Sequence, residues 1–163
     1  MSINIILATD LNFGIGNENK LPWPRNKKDM DWFRKCTIGH AVVMGRKTWE
    51  SIGSKPLKHR FNFVVTSTQI QWAHTRHGDM GVILRNIDED RFPGSPPHDV
   101  FVMGGAEIYG QAVPYADKLY LTTFNQEYEC DTYVQDDIVS HFPNVEYLDD
   151  SDPEITFQIR TKK

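Results

Sequence analysis

"HAVVMGRKTWESIG", His40 to Gly53, is the stretch that decides the fold. Ala41 to Met44 are apolar without alternation, the pattern of a strand buried on both faces. Gly45 ends the run, and Arg46, Lys47 and Thr48 open a short helical stretch, "RKTWESI". A strand, a glycine turn and a helix in quick succession form the first part of a β-α-β unit.

The theme recurs along the chain. "FNFVVTST" (61–68) is a strand ending in hydroxyl residues, and "DVFVMGG" (99–105) is a strand running into paired glycines before the helical "AEIYGQAV". Ile3 to Ala8 is another buried run, followed by "DLNFGIGNENK" (10–20), a loop rich in Asn and Gly. Asp29 to Thr37 reads as a helix ending near Gly39, and "KLYLTTF" (118–124) as a strand. In "EITFQIR" (154–160), Ile155, Phe157 and Ile159 alternate with polar neighbours, the mark of a half-exposed antiparallel strand. Residues 69–81 have no clear period. "VILRNIDED" (82–90) reads as a strand and a helical turn, and "RFPGSPPHD" (91–99) as a Pro/Gly loop. The expectation is one α/β domain over residues 1–163: a mostly parallel twisted sheet with an antiparallel C-terminal edge and flanking helices.

Composition narrows the function. A net charge of −4 and a pI near 5.8 argue against a nucleic-acid protein. The N-terminus has no basic segment and no apolar run long enough for a signal or a membrane span. Cys36 and Cys130 form no C-x-x-C and suit a reducing cytoplasm. His74 and His77 are spaced as metal ligands, but no matching pair accompanies them, and no metal is expected.

Three strand ends carry phosphate-binding chemistry. Gly45 to Thr48 place a backbone turn, two cations and a hydroxyl at a helix N-terminus, which favours anions. Gly104 and Gly105 remove side chains so that a pyrophosphate can approach the main chain. Tight turns alone would explain each of these in isolation. Neither G-x-G-x-x-G nor a P-loop is present. Arg46 with Thr66 and Ser67 suits a 2′-phosphate, which favours NADPH over NADH.

"LPWPRNKKDMDWF" (21–33) carries two acids with different surroundings. On a helix, Asp31 has Lys27, Lys28, Arg34 and Lys35 three or four positions away, a solvated charged face. Asp29 instead shares its stripe with Trp32, Phe33 and Cys36. Periodicity leaves two readings open: Asp29 caps the helix, or it is a carboxylate set in an apolar cleft for a ligand.

Together these segments resemble the dihydrofolate reductase family. The matching pieces are "LATDLNFGIGNENKLPW", Asp29 followed by "WF", "VVMGRKTWESIG", "PLKHR", "VVTST", "VMGGAEIY" and "LYLT", in the family's order from about residue 3 to 125. The resemblance implies hydride transfer from NADPH to C6 of 7,8-dihydrofolate with protonation at N5, in a monomeric cytoplasmic enzyme without nucleic-acid or membrane partners. It makes Asp29 the acceptor for the pterin 2-amino group and N3, with Thr122 bonded to Asp29 or its water. It lines the substrate with Ile6, Ala8, Met30, Phe33, Ile52, Leu57 and Met103, and sets Arg60 on the glutamyl carboxylate. The resemblance makes "NFGIGNENKL" (12–21) a lid that closes the site to water, and the cofactor falls to Ala8, Ile15, Gly16, Asn19 and Leu21 on that side. Beyond them come Gly45, Arg46, Lys47, Thr48, Thr66, Ser67, Thr68, Met103, Gly104, Gly105, Ala106, Glu107, Ile108 and Tyr109. The resemblance further implies a cis Gly104–Gly105 bond, and it puts Glu107 where some members carry an arginine. The short C-terminal hairpin is expected to lack loop-to-loop contacts known in some relatives. The related pyrimidine reductase of riboflavin synthesis shares the fold, but as a rule lacks the "LPW" loop with the helix acid and "PLKHR". A folate-binding protein without turnover is the alternative from another class.

Overall fold

The computed structural model describes residues 1–87 and 98–162. Its centre is an eight-stranded sheet in the order β5-β4-β3-β6-β1-β7-β10-β9. The strands are β1 (Ile3–Thr9), β3 (Ala41–Gly45), β4 (Phe61–Val65), β5 (His74–Arg76), β6 (Val100–Val102), β7 (Lys118–Phe124), β9 (Asn144–Asp152) and β10 (Ile155–Thr161). From β5 to β7 every pairing is parallel, while β10 runs antiparallel to both β7 and β9. The unalternating strands are the inner ones: Ala41 to Met44, Phe63, Val64 and Val100 to Val102 are each buried to within 2%. Each face must therefore be covered, and helices do this. Among the described residues, no helix is long and apolar enough to cross a membrane.

Among the described residues the α-helices are α1 (Lys27–Thr37), α2 (Arg46–Ser51), α3 (Met80–Arg85) and α4 (Ala106–Ala112). One face of the sheet packs Ile5, Leu7, Val43 and Phe63 with Ile83, Leu84, Tyr109 and Ala112. The other packs Ile6, Val42, Met44, Val64 and Phe101 with Trp49, Phe33 and Cys36. A third cluster, Trp23, Phe124, Ile155 and Phe157 with Trp32, closes the β10 side.

The expected helices and inner strands form, and three readings change. Residues 82–90 were expected to begin as a strand, but Met80–Arg85 is helical, capped by Asp79, whose Oδ1 accepts the Val82 amide at 3.1 Å. Residues 69–81, without a period, contribute the edge strand β5. The loop after β1 includes a short strand, β2 (Gly14–Gly16), which pairs with β8 (Thr132–Tyr133) in a second small sheet. The end of "VILRNIDED", residues 88–90, and most of the Pro/Gly loop lie outside the described residues. The Gly104–Gly105 bond is cis, as the resemblance implied.

Candidate active site

The register of the parallel strands brings their C-terminal ends to one level. Gly45 pairs with Val65, so Arg46 and Thr66 leave neighbouring strands side by side. The Gly45 amide donates to the Gly104 carbonyl at 2.8 Å, joining the two glycine turns. Neither α2 nor α4 has a side chain bonded at its cap, Gly45 and Gly105 respectively, so first-turn N–H groups face outward. A Cβ added at Gly105 would lie 3.8 Å from Thr48 Oγ1 and otherwise meet open space. Two helix starts and the Thr48 hydroxyl thus meet in one cradle, with the cations Arg46 and Lys47 in the first turn of α2. This donor set matches a pyrophosphate, which offers only acceptors and negative charge.

At the outer end, Arg46 is 60% exposed and pairs with Glu50 of its own helix at 3.4 Å. Thr66 Oγ1 accepts the Thr68 amide at 3.2 Å, which folds Thr66 to Thr68 into a turn beside it. Glu107 is exposed in the first turn of α4, an acid facing an anion-binding region. At the inner end, the buried Tyr109 hydroxyl donates to the Ile6 carbonyl at 2.8 Å. Burial first, and the charge of Asp29 second, hold that phenol protonated. Gly104 has φ +121 and lies so close to this ring that a Cβ would be 3.3 Å from it. Ile108 and Ile15 pack toward the α4 face of the sheet.

Asp29 lies in the first turn of α1. The cap is Asn26, whose Oδ1 accepts the Asp29 amide at 3.0 Å, so the reading of Asp29 as the cap is overturned. The carboxylate points to the apolar side, and burial pushes its pKa up to about 6. Its helix neighbours Phe33 and Cys36 join Ile6, Ile52, Leu57 and Met103 in one apolar cluster. Five of the expected substrate-lining residues are therefore brought together, while Met30 stays 41% exposed at the rim. Thr122 is buried at β7 opposite Ala8 of β1, and no hydrogen bond links it to Asp29 here. Asp31 pairs with Lys27 at 2.7 Å, but Lys28 does not join them: it reaches across to Asp152 of the C-terminal hairpin, also at 2.7 Å.

Arg60 is held from behind. Its Nη1 donates to Thr37 Oγ1 at 3.0 Å and its Nε to the Lys58 carbonyl at 3.0 Å, while its guanidinium lies over the Phe33 ring. Asn62 braces the loop before it, bonding both the amide and the carbonyl of Leu57 and the carbonyl of Arg60. A groove of about 310 Å³ between Pro56, Arg60 and Trp72 opens beside this loop, at the edge of the sheet away from the glycine turns.

The lid follows β1. Glu18, Asn19 and Lys20 face Lys47, Glu50 and Ser51 across a gap of about 270 Å³, whereas Leu21 is 61% exposed. Glu18 donates its amide to Asp131 Oδ2 at 2.9 Å, which ties this loop to the one after β7.

With this geometry in view, the comparisons decide the family. The family described as "Dihydrofolate reductase" matches residues 2–160. The chain belongs to the dihydrofolate reductase family. A dihydrofolate reductase of Bacillus subtilis is 40% identical over 131 residues, 80% of this chain and 74% of that protein. One of Haemophilus influenzae is 37% identical over 138 residues, covering 82% and 78%. One of Schistosoma mansoni is 37% identical over 161 residues, covering 90% and 81%. Dihydrofolate reductases are oxidoreductases that convert dihydrofolate to tetrahydrofolate, and NADPH is the cofactor of the family. The cradle between the two glycine turns fits the pyrophosphate of that dinucleotide.

Sequence reasoning passed over four residues of this reductase. Thr37 and Asn62 act behind Arg60. The legible signal for Asn62 was a polar residue inside an apolar strand; Thr37 had none. Trp23 stacks on Phe124 at 4.2 Å, and its buried Nε1 has no partner among the described residues. Asp10 is the fourth.

Proposed function

We propose that the chain is an active NADPH-dependent dihydrofolate reductase in which Asp29 binds the pterin and Arg60 the glutamyl carboxylate. The observation that carries this reading is Asp29: a carboxylate on an apolar face, with a raised pKa and no counter-ion among the described residues. Such a group is costly unless a ligand supplies matching donors, and the pterin 2-amino group and N3–H form such a pair. Bound NADPH supplies the hydride. Asp29 orients the ring and favours its protonated form, and Thr122 is assigned to the water or carboxylate beside it.

Ile6, Ala8, Met30, Phe33, Ile52, Leu57 and Met103 line the substrate and exclude water. Gly45 to Thr48 and Met103 to Tyr109 hold the cofactor's centre, Arg46 with Thr66 to Thr68 its 2′-phosphate, and Ile15, Gly16, Asn19 and Leu21 cover its nicotinamide. We further propose a single domain acting as a cytoplasmic monomer without nucleic-acid partners. One eight-stranded sheet takes strands from both ends of the chain, and two free thiols suit a reducing compartment. The edge strand β9 carries Glu146, Asp149, Asp150 and Asp152, charges that oppose pairing with a second chain.

The test is NADPH consumption at 340 nm with dihydrofolate and purified protein. Steady turnover is expected. Folded protein that binds both ligands without consuming NADPH would replace this reading with that of a folate-binding protein.

A further inference from the structure

Asp10 directly follows β1 and is only 2% exposed, without a salt bridge among the described residues. Burying a carboxylate this way is costly unless its lone pairs are filled. Four donors fill them, and they come from two different loops. Oδ1 accepts the amides of Asn12 and Gly14, both at 2.9 Å, which fixes the first turn of the lid. Oδ2 accepts the Tyr128 amide at 2.9 Å and the Cys130 thiol at 3.6 Å, on the loop after β7.

Main-chain bonds follow the same seam: Leu11 to the Gln126 carbonyl at 3.2 Å, and Val134 to the Phe13 carbonyl at 3.0 Å. The contact is tight, since a Cβ at Gly14 would sit 2.3 Å from Cys130 Sγ. Ala8 lies two residues before this joint, and Ile15 and Gly16 lie just after it.

We infer that Asp10 is a positioning residue for the cofactor, its carboxylate locking the base of the lid to the loop of residues 126–130 so that both cover the nicotinamide as one body. The inference rests on the reading of residues 12–21 as a lid over NADPH. The chemistry requires a carboxylate, because only an ionised acid offers two oxygens that both accept. An asparagine of the same shape has one acceptor oxygen and one NH₂. Whichever way it turns, one of the two loops meets a donor instead of an acceptor, and the single cross-loop amide is the cheaper one to lose.

Asp10→Asn therefore separates the two roles. If Asp10 is the joint, Asn behaves like Asp10→Ala: the dissociation constant for NADPH, read by fluorescence titration, rises about tenfold. Dihydrofolate affinity stays within about threefold, because its side of the site does not rest on this bond. Amide hydrogen exchange then accelerates together in residues 10–18 and 126–134, while β3 and β4 stay protected. Two outcomes would overturn the inference. In the first, Asn matches wild type and only Ala is impaired, so that Asp10 serves its own turn alone. In the second, exchange accelerates across the central sheet as well, so that Asp10 supports the fold in general. The Asn comparison stands if the Ala variant does not fold. Affinity and exchange need no turnover, so a wild-type protein that binds NADPH without reducing dihydrofolate would fail the proposed function and leave this test intact.

Discussion

Asn26 Oδ1 accepts the backbone amide of Asp29 at 3.0 Å, so the capping of α1 and the carboxylate of Asp29 are assigned to different residues. Asp29 is thereby free to serve a ligand, and the neighbouring acid is not. Asp31 pairs with Lys27 where both are well exposed, an interaction worth about 0.5 kcal/mol or less. Asp29→Asn should lower kcat by roughly a hundredfold or more at pH 7, on the scale of an acid–base contribution. Asp31→Asn should leave kcat within about twofold, and steady-state assays of both variants decide. Equal losses would show that the facing of the helix has been misread.

Asp29 also makes stability depend on pH. Burial raises its pKa from 3.8 to about 6, so across that window the folded protein holds a proton that the unfolded chain has released. Stability contributed by this group is therefore lost as pH rises through the window, and the loss is complete above about pH 7. Asp29→Asn removes the charge. Without ligands, the variant should melt roughly 5 °C above wild type at pH 8, the gap closing toward pH 4. Thermal unfolding at the two pH values checks the sign.

Arg46 lies beside Thr66 at the outer end of the cofactor cradle and, among the described residues, pairs with Glu50 of its own helix. Arg46→Ala should raise the KM for NADPH by about tenfold or more, the worth of a charged hydrogen bond to phosphate, and change that for NADH little. The same loss for both dinucleotides would remove the 2′-phosphate assignment. High salt should narrow the NADPH effect, since this cation is exposed.

Thr37 is completely buried at the end of α1, with its Oγ1 between the Phe33 carbonyl at 2.8 Å and Arg60 Nη1 at 3.0 Å. Thr37→Val keeps the shape and removes the acceptor. The guanidinium should lose its orientation, raising the KM for dihydrofolate about threefold to tenfold with kcat nearly unchanged. A truncated substrate without the glutamyl group should not feel the change.

The inner strands and the first helix were legible because burial on both faces writes unbroken apolar runs, and a half-buried helix writes a stripe. The elements that were missed lack room for a period. His74–Arg76 and Gly14–Gly16 have three residues each, and Gly14 finds its partner only at Tyr133, far along the chain. The third helix was misread although Met80, Ile83, Leu84 and Ile87 stand at helical spacing behind a capping aspartate; the apolar "VIL" within it drew the strand assignment. At the site, facing isolated Asp29 and chain order supplied the family. Lys28 reaching Asp152 and Thr37 orienting Arg60 depend on side chains 124 and 23 positions apart, and no local pattern encodes such pairs.

The bond from the Gly45 amide to the Gly104 carbonyl ties a sheet seam to the cofactor cradle, and a side chain at Gly45 would press on Ile108 at 3.1 Å. In a mutant library, clones altered at these two glycines would lose expression and dinucleotide binding together, and selection could not improve one while sparing the other. Laboratory evolution toward a different cofactor therefore has its freedom one residue further out, at Arg46, Thr66 and Ser67, where side chains leave the sheet.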